Sequence, residues 1–201
     1  MFKKKITKIL IGSNNKGKLR EIRELLPNNI KIYTPNELNL LKSPIENGKT
    51  FFQNSLIKAK YYSNKSGMIC LADDSGLEID ILDKKPGIFS ARWSGKKKNF
   101  NVAIKKVFKK LNKKDPKWKD KKIKARFVCA LTIFGPGVKT VKSIGKVEGF
   151  ISKKIKGTYG FGYDPIFIPN GYNKTFSQMK PSKKFCIDHR FTAYEKIKKF
   201  F

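Results

Sequence analysis

Two adjacent carboxylates, Asp73 and Asp74, close an apolar run in Cys70-Leu71-Ala72-Asp73-Asp74-Ser75-Gly76-Leu77 and are the side chains best placed to do chemistry in this 201-residue sequence. Carboxylates at the end of a strand act as general bases or hold a hard cation. Residues 68–72 are short and apolar, between Gly67 and Gly76, and predict a buried strand whose carboxyl end opens onto a crevice. Strand alternation then sends Asp73 and Asp74 to opposite faces, so they need not share a proton. Taken alone, Asp-Asp-Ser-Gly is equally good turn chemistry.

A second group is Ser13-Asn14-Asn15-Lys16-Gly17-Lys18. It follows an apolar strand candidate at residues 5–12 and leads into Leu19, Ile22, Leu25 and Leu26 at helical spacing. Gly12 through Lys18 satisfies G-x-x-x-x-G-K, but Leu19 stands where a P-loop needs Ser or Thr for magnesium, which argues against a P-loop ATPase. The amides at the start of a helix, two lysines and a hydroxyl still suit a polyphosphate. The plain alternative is a helix capped by Ser13 or Asn14. A third group, Gly157-Thr158-Tyr159-Gly160-Phe161-Gly162-Tyr163-Asp164-Pro165, offers close backbone approach and rings for a base, or a glycine-rich bend in a sheet. His189 is the only histidine and adjoins Arg190. Glu46 reads, without a partner, as a loop charge in water.

The elements that must position these groups follow from periodicity. A short strand is expected around residues 30–33, a helix capped by Thr50 through 51–60, and an alternating strand over 77–82. An amphipathic helix spans 99–111 with lysines on its outer face. Residues 113–124, broken by Pro116, read as a charged, mobile connection. Strands over 125–134 and 140–151 are joined through Gly135-Pro136-Gly137 as a hairpin, and the chain closes on a helix after Asp188. No internal repeat is evident.

With 39% hydrophobic residues the chain can build a core, as one large domain or as two lobes. The formal charge of +31 raises nucleic acid or an anionic membrane as partners. Only Arg20, Arg23, Arg92, Arg126 and Arg190 are arginines, and the lysines are spread among many Asn, Ile and Phe, which reads as compositional bias. Trp118 alone among the lysines of its segment makes no stacking platform. Cys70, Cys129 and Cys186 are odd in number and far apart, and read as buried free thiols in a reducing compartment. The apolar run after the amino-terminal Lys3, Lys4 and Lys5 is too short for a signal segment, and no run approaches membrane-spanning length, so a cytoplasmic protein without a membrane partner is expected.

Taken in order along nearly the whole chain, these stretches resemble the inosine/xanthosine triphosphate pyrophosphatase family. The residues that carry the resemblance are Ser13 to Lys18, Thr50-Phe51 with Asn54 and Lys58-Ala59, and Ala72 to Leu77. To these add Pro86-Gly87-Ile88 with Ser90-Ala91-Arg92, Phe127-Val128-Cys129-Ala130-Leu131, Gly160 to Phe167, and His189-Arg190. The resemblance implies an α/β fold, a long mixed β-sheet with helices forming two lobes around a central cleft within one domain over 1–201. It also implies a homodimer without a specific nucleic-acid partner.

The implied reaction is magnesium-dependent hydrolysis of a deaminated purine nucleoside triphosphate, ITP, dITP or XTP, to the monophosphate and pyrophosphate. Carried over by position, Ser13, Asn14, Asn15, Lys16, Gly17 and Lys18 line the triphosphate. Asp74 is the catalytic acidic residue, and Glu46 with Asp74 would ligate Mg²⁺. Ser75, Phe161, Gly162, Tyr163, Asp164, Lys184, His189 and Arg190 resemble substrate-binding positions. A 6-oxo purine presents an acceptor where adenine presents a donor, so Arg190, always a donor, would favour the former. Three residues depart from the family pattern: Gln53 in place of Glu, Asp188 in place of Ser, and Phe191 in place of a small residue. The first bears on a secondary carboxylate near the metal and the others on the base pocket. Competing readings are a pyrophosphatase for other modified nucleotides and a lysine-rich nucleic-acid-binding protein, which would show steeply salt-dependent binding without releasing pyrophosphate.

Overall fold

A computed structural model describes residues 5–201; Lys3 and Lys4, noted above at the amino terminus, lie outside the described residues. Among the described residues the fold is mixed α/β, with a seven-stranded sheet. The elements that matter for the site are β1 (Lys8–Ile11), α1 (Lys16–Leu25), β2 (Lys31–Tyr33), α2 (Phe51–Ser66) and β3 (Cys70–Ile79). They are followed by β4 (Lys85–Pro86), α3 (Phe100–Lys114), β5 (Lys124–Gly135) and β6 (Val138–Ile151). The chain ends with β7 (Phe167–Pro169), α4 (Pro181–Phe185) and α5 (His189–Glu195). The strand order is β2-β1-β3-β5-β6-β7, with β4 beside β3. Among the described residues no helix is long and apolar enough to cross a membrane.

The chain divides into two compact units. The first holds the described residues through Asp74 together with Cys129–Gly145 and His189–Phe201. There β1 pairs in parallel with β2 and with β3, Leu10 opposite Cys70 and Ile11 opposite Leu71. Parallel neighbours need a crossover between them, and α1 and α2 supply it. Ile9, Leu10 and Ile11 are fully buried, each stabilising the fold by about 1.5–3 kcal/mol over an exposed side chain. Ile22 and Leu26, from α1 and its end, join Ile9 and Ile11 in one core with Leu131 and Ile133 of β5 and Ala193 of α5, whereas Leu10, on the other face of β1, packs with Ala59, Tyr62 and Cys70.

The second unit comprises Ser75–Val128 and Lys146–Asp188. Its core gathers Leu77 and Ile79 of β3, Ala103, Ile104, Val107 and Leu111 along one face of α3, and Phe127, Phe167 and Phe176. Helical spacing produced that α3 stripe, and the lysines between its members are exposed. The stretch expected to be a mobile connection is anchored instead. Trp118 is fully buried, stacks on Phe108 with centroids 5.5 Å apart and donates its indole N–H to Asn112.

Two further expectations change. The break foreseen between residues 72 and 77 does not occur: β3 runs unbroken from Cys70 to Ile79, so Asp73 and Asp74 lie within a strand and not at its end. Turn-forming side chains yield to the ladder because flanking helices give both carboxylates cationic partners. Among the cysteines, Cys70 and Cys129 are buried free thiols, whereas Cys186 is exposed, since it ends the short surface helix α4.

Within the first unit β6 passes α5 so closely that a Cβ on Gly145 would collide with the backbone of His189, Thr192 and Ala193. No side-chain rotation relieves a clash with backbone. Gly145→Ala is expected to destabilise the protein by about 3 kcal/mol, read as a lower urea midpoint with unchanged slope.

Candidate active site

The site grows from the alternation of β3. Successive residues point to opposite faces, so Asp73 and Asp74, buried side by side in sequence, meet different partners. Asp74 faces α2. Its Oδ1 lies 3.2 Å from Lys58 Nζ and its Oδ2 accepts from Asn54 Nδ2 at 3.2 Å. Asn54 and Lys58 are four residues apart, so one helical face delivers both. Thr50 starts that helix by accepting from the Gln53 amide, as the sequence suggests.

Lys58 also lies 3.2 Å from Glu46 Oε1, which brings the two carboxylates of the expected metal pair to one cation. Glu46 sits in a loop tied down by α2: Asn54 Oδ1 accepts from Gly48 N at 2.8 Å and Gln53 Oε1 from Lys49 N at 2.6 Å. A Cβ on Gly48 would fall 2.6 Å from both Gln53 Cβ and Asn54 Oδ1, so this contact needs glycine. Gln53, flagged as a departure, therefore acts here as a brace for the loop that carries Glu46.

Charge is shared unevenly in this group. Burial works against the Lys58 cation, but Asp74, Asp73 and Glu46 outweigh it and raise the ammonium pKa well above its ordinary value. Burial also raises the Asp74 carboxyl; Lys58 and Lys18 oppose this, while Glu46 and Asp73 add to it. One lysine faces several acids, so the ammonium is held charged, while burial and the neighbouring acids hold the Asp74 carboxyl above its ordinary range.

Asp73 faces the other way. Its Oδ2 receives Lys18 Nζ and Arg190 Nη2, each at 3.1 Å, and Arg190 Nη1 is bonded to Glu21. Lys18 and Glu21 are one turn apart on α1, so the helix presents a cation and an anion to the same cluster. Arg190 is fully buried, and burial lowers its pKa to about 9, which leaves it charged at neutral pH. His189, also buried, opens α5. Nothing in the spacing of the sequence singles out Glu21, which stands between Arg20 and Ile22.

Residues 12–15 join β1 to α1, and Lys16, Gly17 and Lys18 form the first turn of the helix. Asn15, rather than Ser13 or Asn14, caps the helix, its Oδ1 accepting from Lys18 N at 3.1 Å. Ser13 Oγ accepts from Asn15 N, and Asn14 Nδ2 donates to Ser43 Oγ and Tyr62 OH. Lys16 is exposed and Gly17 half-buried.

The remaining expected site residues belong to the second unit. Asp164 is buried there, and its Oδ2 accepts from Phe161 N at 2.9 Å and from Lys184 Nζ at 2.7 Å. Lys184 Nζ lies over the Phe161 ring, 5.2 Å from its centroid. Gly160 has φ of +76°, and a Cβ there would strike Asp164, so the loop closes on the carboxylate only because glycine stands there. Gly162 also has positive φ. Tyr163 is buried against Phe100 and donates its hydroxyl to the Ser90 carbonyl at 3.0 Å, whereas the Phe161 ring is half-buried. Ser75 follows Asp74 in β3 and is half-buried.

The Ham1 family profile matches residues 9–200. The chain belongs to the Ham1 family. It is 41% identical over 191 residues to the dITP/XTP pyrophosphatase of Caulobacter vibrioides, covering 95% of this chain and 96% of the relative. It is 39% identical over 191 residues to the enzyme of the same name from Zymomonas mobilis, covering 94% and 90%. Among solved structures, a HAM1 protein from Coxiella burnetii matches with a TM-score of 0.84 at 34% identity, covering 96% of this chain and 98% of that one.

The pairing of Lys58 with Asp74 can be tested without any assay of activity. Lys58→Met leaves a buried carboxylate without its nearest cation and is expected to cost about 3 kcal/mol. Adding Asp74→Asn should return a large part of that loss, read from urea midpoints of the single and double variants. A double variant no more stable than Lys58→Met would mean that Asp74 is already neutral in the folded protein.

Proposed function

We propose that this protein hydrolyses deaminated purine nucleoside triphosphates, ITP, dITP and XTP, to the monophosphate and pyrophosphate. The observation that carries the reading is the buried group of Asp74, Lys58 and Asn54, with the half-buried Glu46 beside it, in a chain of the Ham1 family, whose relatives include dITP/XTP pyrophosphatases. Water attacks the α-phosphorus, the bond from that phosphorus to the α,β-bridging oxygen breaks, and pyrophosphate leaves with the electron pair. Asp74 orients the water and takes its proton, a contribution of about 10²–10⁴ in rate. Lys58 and Asn54 hold the carboxylate in one orientation, while Lys16 and Lys18 with the amides opening α1 bind the phosphate chain.

The two carboxylates Glu46 and Asp74 converge on one cationic point at Lys58 Nζ, and their oxygen donors suit a hard cation that takes its remaining ligands from phosphate and water. They would hold Mg²⁺, which when bound neutralises the triphosphate and lowers the pKa of water. Ser75, Phe161, Gly162, Tyr163, Asp164 and Lys184 bind the nucleoside, with the half-buried Phe161 ring as an apolar contact. Arg190, expected as the reader of the 6-oxo group, is fully buried with its two Nη atoms on Asp73 and Glu21, and its neighbour His189 in α5 is buried as well, so Arg190 acts as a positioning residue behind Asp73. This reading includes a single catalytic domain, a homodimer and a cytoplasmic setting.

Asp74→Asn is expected to lower ITP turnover more than tenfold while the urea midpoint shows a folded protein. Reaction of the parent in ¹⁸O-water should label the monophosphate; label confined to phosphate or pyrophosphate would mean a different hydrolase.

The acid side of the pH profile follows from the carboxyl shift. Asp74 must be ionised to accept a proton, and its pKa is raised, so kcat/KM should fall at a pH above the ordinary carboxylate range. Lys58→Gln removes the nearest cation and should move that limb to still higher pH.

A further inference from the structure

Away from the residues assigned above, the second unit contains a groove of about 750 Å³. Six lysines line it, Lys119, Lys121, Lys122, Lys153, Lys154 and Lys156, and among the described residues no acidic side chain does. Lysines make up about a fifth of the chain and nearly half of this lining, so compositional bias alone accounts poorly for the cluster. Asp115 pairs with Lys121 at 2.6 Å, which leaves the other five as the main charge of the rim. The two lysine segments are fixed to one another by backbone, Ile151 N donating to Ile123 O at 2.9 Å.

We propose that this groove binds a soluble oligophosphate anion, such as a tripolyphosphate chain. Five like charges gathered at one concave place repel one another until an anion arrives, and several phosphates in a row match several ammonium groups better than a single phosphate does. The size falls within the range of small-ligand sites. The lining disfavours recognition of a base. Its two aromatic rings, Phe150 and Tyr172, already carry ammonium groups, Lys122 at 5.6 Å and Lys183 at 5.1 Å from the ring centroids. A base stacking on those ring faces would have to displace the cations. A second copy of this chain related by a twofold axis through the groove would set lysine against lysine.

The test is calorimetric titration of the full chain with sodium tripolyphosphate at physiological ionic strength, where diffuse surface attraction is screened. The exposed lysines allow a variant that keeps the core intact: Lys122→Gln, Lys153→Gln and Lys154→Gln combined. It should bind one tripolyphosphate fewer per chain than the parent. A control with the same charge loss, Lys105→Gln, Lys109→Gln and Lys113→Gln on the outer face of α3, should bind as many as the parent. Equal losses in both variants would reduce the groove to general charge, and no loss in the first would remove the site. The same titration with an oligothymidylate forms the second arm. Groove-dependent binding of that strand without groove-dependent binding of tripolyphosphate would assign the groove to a nucleic-acid backbone and overturn the proposal. Every outcome is independent of whether the chain hydrolyses ITP.

Discussion

Burying two neighbouring carboxylates in the middle of a strand is the constraint on which the first unit depends. An isolated carboxylate away from water is costly enough that it must be paired or neutralised. Asp73 and Asp74 sit on opposite faces of β3, so each must be answered from its own side. Asp74 is met by Lys58 and Asn54 of α2, and Asp73 by Lys18 of α1 and Arg190 of α5. Three helices far apart in sequence are thereby fixed against one strand.

That arrangement explains why structural and chemical roles overlap in the same side chains. Lys58 neutralises Asp74 and also gathers Glu46; Asn54 orients Asp74 through its amide nitrogen and secures Gly48 through its oxygen. A buried ion group of this kind adds little net stability over apolar packing, yet removing one member leaves an uncompensated charge. Its value lies in holding a carboxylate in one orientation with a raised pKa, as a proton acceptor for water requires. In the second unit the pair Asp164 and Lys184 obeys the same rule, with Phe161 held by both members.

The lysine content acts differently in the two settings. On α3 the lysines are a solvated face that the helical repeat accounts for. Around the groove they are drawn together by tertiary packing from two segments some thirty residues apart, with acids absent from the lining among the described residues. The net charge of the chain does not distinguish these cases; position does.

Much of the framework was legible in the sequence because it is local. Periodicity located α1, α2 and α3, Thr50 marked a helix start, and Gly135-Pro136-Gly137 marked the turn between β5 and β6. The order of motifs was specific enough to point to the family, and alternation alone separated Asp73 from Asp74. What the tertiary structure decided is everything that depends on partners remote in the chain. Local chemistry at Asp-Asp-Ser-Gly favours a turn as readily as a strand, and only charges arriving from α1, α2 and α5 make an unbroken β3 tolerable. Trp118 reads as a lone aromatic among lysines until α3 supplies Phe108 and Asn112 to bury it. Glu21 reads as a solvent-facing charge until Arg190, 169 residues away, comes to meet it. Periodicity records which face of an element is apolar, but a buried charge is specified by its counter-charge, and that contact exists only once the chain has folded.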